Sequence, residues 1–220
     1  MGNEIPFILL PGMGADAREF AGQVGVIPGV VVPDWIAPLE NESIDEYAKR
    51  FAKVIDPDGP CYIGGSSFGG FVAMELCKYL KPKACFLLGS LKGADQLPDH
   101  IKGLRQFIDV ADYVPFELIK QFCKIGMMPI VQLGDKLLAN YLKQLSEADA
   151  NFLHWVCRAV LKWEGMVDTG GVPVYHIHGE KDLVLPVENT NPDVIIERAG
   201  HLISMSHAHA VNEFILWRIG

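Results

Sequence analysis

A serine framed by glycines, Gly65-x-Ser67-x-Gly69, sits where the strand-like run Cys61-Tyr62-Ile63 gives way to a helix-like one beginning at Phe68. Few folds contain such a junction. A serine on so sharp a turn adopts a strained backbone, and side chains two residues to either side of it would collide. Glycine on both flanks removes the collision. Ser67 then projects at the C-terminal end of a strand, over a helix N-terminus that favours developing negative charge. Ser66 is the poorer candidate, because its +2 neighbour is Phe68. A phosphate-binding loop does not fit: no Lys follows, and G-x-G-x-x-G cannot be matched here.

Around this junction, strand and helix patterns alternate from the start of the chain. Short apolar runs at Ile5–Leu10, Val30–Val32, Cys61–Ile63, Ala84–Leu88, Val174–Ile177 and Val194–Ile196 end in Gly, Pro or Asp, and their consecutive apolar positions suit strands covered on both faces. Ser43-Ile44-Asp45-Glu46 has the form of a capping box, with Ile44, Tyr47, Ala48, Phe51 and Ile55 on one helical face. Further helices are expected over Phe68–Leu80 and Ser206–Arg218. The alternation predicts an α/β fold, a mostly parallel sheet of about six strands with helices on both faces. Between about Lys92 and Gly165 the rhythm stops. Helical patterns at Ile130–Leu145 and Glu147–Leu161, rich in aromatic residues and Met, predict a helical cap inserted into one domain spanning residues 1–220. Its Phe107, Tyr113, Phe116, Phe122, Met127, Met128, Phe152, Trp155 and Trp163 suit either an acyl pocket or the cap's own core.

Composition narrows the function classes. With 50% hydrophobic and 21% charged residues the chain is not of the disordered type. Net charge is −8 and no Lys/Arg cluster exceeds a dipeptide, so nucleic acid is not an expected partner. No apolar run approaches the roughly 18–20 residues that span a bilayer. The opening Met-Gly-Asn-Glu-Ile-Pro lacks the basic stretch of a signal peptide. Five cysteines, an odd number without C-x-x-C spacing, suit buried reduced thiols in the cytoplasm and neither a disulfide frame nor a zinc site. No metal or cofactor is expected.

A serine hydroxyl needs a base, and the base an acid to orient it. His176-Ile177-His178-Gly179-Glu180-Lys181-Asp182 places Asp182 on the loop after a strand, and Gly200-His201 places His201 just past the last strand. The gaps suit a cap insertion and then one strand-sized crossover: 182 − 67 = 115 and 201 − 182 = 19 residues. All three candidates sit at C-terminal strand ends, where open parallel sheets bind ligands. Asp95, after the fourth strand, is the rival acid. His176 and His178 alternate onto one face as a hydrogen-bonded core pair. His207 and His209 are i, i+2 on a helix and point apart.

On these residues the chain resembles the α/β-hydrolase superfamily. Leu9-Leu10-Pro11-Gly12-Met13-Gly14 is similar to that family's His-Gly loop, with Pro11 in place of the common His; the family's first antiparallel strand pair is absent. The resemblance implies an oxyanion hole made by the backbone N–H groups of Met13 and Phe68. It implies a serine hydrolase acting on a small-molecule substrate, most simply a carboxylesterase for small to medium uncharged acyl groups. Thioesterase, amidase, acyltransferase, C–C hydrolase or cyanohydrin lyase chemistry on the same triad stays open, as does a non-catalytic ligand-binding member of the fold. Oligomeric state is not readable from the sequence.

Overall fold

The computed structural model describes residues 5–107, 135–164 and 167–220, with backbone only at 106, 107 and 135. Six strands form one wholly parallel sheet: β1 (Phe7–Leu10), β2 (Val30–Val31), β3 (Tyr62–Ser66), β4 (Cys85–Leu88), β5 (Val174–Gly179) and β6 (Val194–Ile196), in spatial order β2-β1-β3-β4-β5-β6. Chain order reverses beside β1, between β2 and β3, which sets the crevice at the C-terminal strand ends where a ligand would bind.

Two cores cover the two faces. Phe7 and Leu9 of β1, with Phe86 and Leu88 of β4, point to one side and meet Val211, Phe214 and Ile215 of the C-terminal helix. Ile8, Leu10, Cys85 and Leu87 point to the other and meet α1 (Ile44–Ile55) and α2 (Phe68–Leu80). The period-2 alternation of a pleated strand thus sorts consecutive apolar residues between two helical layers. The edge strands are wetter: Val31 and Ile195 are each about half exposed (51% and 50%). The capping box of α1 forms as expected, Ser43 accepting from Glu46 N at 3.2 Å while the Glu46 carboxylate accepts from Ser43 N at 2.9 Å.

Among the described residues between β4 and β5 are a short helix, α3 (Asp99–Gly103), and two longer ones, α4 (Asp135–Glu147) and α5 (Ala150–Lys162). Helix α5 starts three residues later than its pattern suggested, because the Asp149 side chain accepts from Phe152 N at 2.7 Å and fixes the N-terminus there. Tyr113, Phe116, Phe122, Met127, Met128 and the first residues of the Ile130–Leu145 pattern lie outside the described residues, as do Cys123 and the Phe107 side chain. Trp155 and Trp163 belong to the core: Trp155 packs on Tyr47 at 4.4 Å, and Trp163 stacks on Phe71 at 4.7 Å. Their indole N–H groups donate to Glu42 O (2.7 Å) and Glu75 Oε1 (2.8 Å), tying α5 and its C-cap to the turn before α1 and to α2.

The expected helix over Ser206–Arg218 forms as α7 (Ala208–Ile219), starting two residues later because His207 stands outside helical geometry at φ −130° and ψ 41°; the short α6 (Ile203–Ser206) precedes it. Among the described residues no helix is long and apolar enough to cross a membrane. Cys61, Cys77 and Cys85 are buried and unbridged.

Candidate active site

Ser67 lies between β3 and α2 with φ 49° and ψ −120°, a conformation that disfavours any side-chain-bearing residue. The surrounding backbone holds it: Ser67 N donates to Leu88 O at 3.3 Å, and the Ser90 hydroxyl donates to Ser67 O at 2.7 Å. A Cβ on Gly65 would stand 2.2 Å from the carbonyl carbon of Gly69, and one on Gly69 would stand 2.1 Å from Leu10 O. Both glycines are therefore required by contact as well as by pattern. Ser66, the rival serine, is fully buried at the end of β3.

His201 and Asp182 converge on this serine. His201 Nε2 lies 2.8 Å from Ser67 Oγ, and His201 Nδ1 lies 2.7 Å from Asp182 Oδ2. The ionised carboxylate only accepts, so the proton of the neutral imidazole sits on Nδ1 and Nε2 accepts from the serine hydroxyl. Asp182 Oδ1 accepts two backbone N–H groups, from Val184 and Leu185, each at 2.9 Å. Burial disfavours charge on Asp182, but the field of His201 and the hydrogen bonds from His178 and His201 outweigh it and lower the acid's pKa. Burial likewise opposes charge on His201, and the Asp182 field and hydrogen bond overcome it and raise its pKa. Asp95 is not part of this cluster; it is exposed on a separate turn after β4. His207 and His209 are apart, the first bonded to Ser206 Oγ at 2.8 Å and the second facing Glu213 at 3.6 Å.

His176 and His178 form the core pair expected of them, with Nε2 of the first 2.9 Å from Nδ1 of the second. His178 does something the sequence did not disclose. Its Nε2 lies 2.8 Å from Leu185 O and 3.1 Å from Asp182 Oδ2, both acceptors, so Nε2 carries the proton. Its Nδ1 then accepts from His176. Asp182 Oδ2 accordingly receives two N–H donors and Oδ1 two more. The short spacing His178-x-x-x-Asp182 across the β5 loop was the one available signal.

The Gly12–Ala15 turn closes on itself through Ala15 N to Gly12 O at 3.1 Å. Helix α4 holds it from above: Tyr141 Oη donates to Met13 O at 3.2 Å, and Gln144 Oε1 accepts from Asp16 N at 2.9 Å. The Met13 N–H donates to no group among the described residues, and the Phe68 N–H lies in the first turn of α2, where no intrahelical acceptor exists. Beside the turn is a cavity of about 640 Å³ whose walls include Gly14, Trp35, Ile36, Ala148 and Phe152. The Trp35 and Phe152 rings pack against Phe68 at 5.8 and 6.2 Å. Asp16, Glu147 and Asp149 also line this cavity.

Comparison with known proteins adds a family and a set of likenesses. The model of the alpha/beta hydrolase family matches residues 7–214. No curated protein matches the sequence. Among solved structures, an esterase from Thermogutta terrifontis is similar at TM-score 0.73 and 18% identity, over 100% of this chain and 90% of its own. A hydrolase from Pseudomonas aeruginosa is similar at TM-score 0.77 and 13% identity, over 98% and 90%. An epoxide hydrolase from Bacillus megaterium is similar at TM-score 0.70 and 14% identity, over 99% and 93%.

Proposed function

Since the chain belongs to the alpha/beta hydrolase family, we propose that it is a serine hydrolase that cleaves carboxylic esters through an acyl-serine intermediate. The observation that carries this reading is the unbroken hydrogen-bond line from Ser67 Oγ through His201 to Asp182. Fold alone does not choose the reaction, as an esterase and an epoxide hydrolase share it here. What favours acyl transfer is a serine at the elbow with a base already in contact and two amides free beside it.

In this reading Ser67 Oγ attacks the ester carbonyl as His201 Nε2 takes the hydroxyl proton. The carbonyl π electrons pass to oxygen, and the oxyanion is held by the N–H groups of Met13 and Phe68. Collapse of the tetrahedral intermediate breaks the C–O bond to the alcohol, which leaves with the proton from His201. Water then attacks the acyl-Ser67 ester by the same steps, giving the carboxylic acid and restoring Ser67. Asp182 holds the His201 tautomer and balances the imidazolium; no cofactor or metal enters. The cavity walled by Gly14, Trp35, Ala148 and Phe152 suits a small to medium uncharged acyl group. Residues 1–220 act as one domain in the cytoplasm, with the segment at about 92–165 as its cap.

The test is turnover of p-nitrophenyl esters from acetate to decanoate by wild type and Ser67→Ala. Hydrolysis by the wild type and its loss in the variant are expected. Cleavage of thioesters or amides without esters would overturn the ester assignment, and undiminished ester hydrolysis by Ser67→Ala would overturn the mechanism.

A further inference from the structure

Glu19 belongs to the short 3₁₀ turn Ala17–Phe20 after the Gly12–Ala15 loop, yet it is only 1% exposed. Its Oε2 accepts the Gly12 N–H at 2.7 Å, and its Oε1 is buried with no hydrogen-bond partner. Among the described residues no Lys or Arg pairs with it; neighbouring Arg18 turns instead to Asp16 and Glu147. The groups that bear on it are the Ser66 hydroxyl at the end of β3, Asp16 beside its own turn, and His201 after β6. A Cβ on Gly12 would stand 3.6 Å from both Glu19 Oε2 and Ser67 Cβ, so little more than the Gly12 backbone separates this carboxyl from the nucleophile.

An ionised carboxylate in this place meets two penalties. It is buried without a counter-ion, and it repels the oxyanion that forms beside Met13 and Phe68. A neutral carboxyl avoids both and still offers an oxygen to Gly12. Burial raises the pKa of Glu19, outweighing the Ser66 hydroxyl, the Gly12 amide and His201, which all favour its charged form.

We infer that Glu19 is a positioning residue that works as a neutral carboxylic acid: Oε2 holds the Gly12 N–H so that the loop presents Met13 N–H to the oxyanion, and a proton on Oε1 keeps negative charge out of the site. The inference rests on the serine hydrolase reading above. It identifies a second acid of the site, distinct from Asp182 and with the opposite protonation state.

The experiment compares wild type, Glu19→Gln and Glu19→Ala in kcat and KM for a p-nitrophenyl ester. It adds the affinity for an alkyl boronic acid, which forms a tetrahedral adduct on Ser67. Glu19→Gln, the isostere of the neutral acid, should keep kcat within about threefold, the scale of one neutral hydrogen bond. Glu19→Ala should lose about 10²-fold in kcat and in boronate affinity, with KM little changed, as a misplaced donor loop would. The infrared difference between wild type and Glu19→Gln at neutral pH should contain the C=O stretch of a protonated carboxyl. A fall in Glu19→Gln as deep as in Glu19→Ala, or no such band, would overturn the neutral acid. Wild-type kcat in Glu19→Ala would overturn the positioning role. Should Glu19→Ala not fold, Glu19→Gln and the infrared band decide the matter. A wild type that neither hydrolyses esters nor takes the boronate would sink the hydrolase reading itself, and this inference with it.

Discussion

Replacing His176 with Gln should flatten the acid denaturation of the protein. His176 lies on β5 with no exposure, its Nε2 bonded to His178. Burial, then the fields of His178 and Lys92, hold its pKa at about 3. An unfolded histidine titrates near 6.5. Because the folded value is the lower one, between pH 6.5 and 3 the unfolded chain binds a proton that the native protein does not. Stability is therefore full above about 6.5 and drains as pH falls toward about 3. At about 1.4 kcal/mol per pH unit, the step from pH 7 to pH 4 removes about 3 kcal/mol through this one residue. Gln keeps an N–H for His178 Nδ1 and does not titrate. Urea unfolding of both proteins at pH 7 and pH 4 reads the effect, since the other titrating groups are common to both. The stability difference should shift by about 3 kcal/mol in favour of His176→Gln on acidification. An unchanged difference would refute the reasoning.

Further outcomes follow from the structure. Asp182→Asn should lower kcat on esters by about 10⁴-fold while the protein stays folded, and the wild-type acid limb of kcat/KM should titrate above the ordinary histidine value because Asp182, outweighing burial, raises the pKa of His201. Tyr141→Phe removes the bond to Met13 O; thermal unfolding should register about 1 kcal/mol, and kcat should fall with KM little changed. Gly69→Ala puts a methyl 2.1 Å from Leu10 O and should prevent native folding, whereas Gly103→Ala meets no atom of the described residues within 4 Å and should leave soluble yield and melting temperature near wild type.

The parts of this molecule that were legible in the sequence are those written in local patterns. Six strands and their parallel arrangement could be read because Phe7–Leu10 and Cys85–Leu88 are apolar at every position, as only doubly covered strands are. The elbow could be read because two glycines answer a steric demand within five residues, and Asp182 and His201 because each follows a strand end. Glu19, Tyr141 and the second bond of His178 were not legible. Glu19 stands in Ala-Asp-Ala-Arg-Glu-Phe, which has the composition of a solvated turn, and only the tertiary approach of the Gly12 loop buries it. Tyr141 reaches Met13 across 128 positions of chain, a contact no short-range pattern encodes. The short helix Ile203–Ser206 before the final one was not legible either: four residues are too few to write a period, and its end is marked by bonds of Ser206 Oγ to Leu202 O and His207 Nδ1.

The central claim is that Ser67 is a nucleophile activated by His201. Intact-mass spectrometry after exposure to a fluorophosphonate tests it most directly, on wild type and on Ser67→Ala. One covalent adduct on the wild type and none on the variant is the expected result. A folded wild type that takes no adduct, or a Ser67→Ala variant that still takes one, would contradict it.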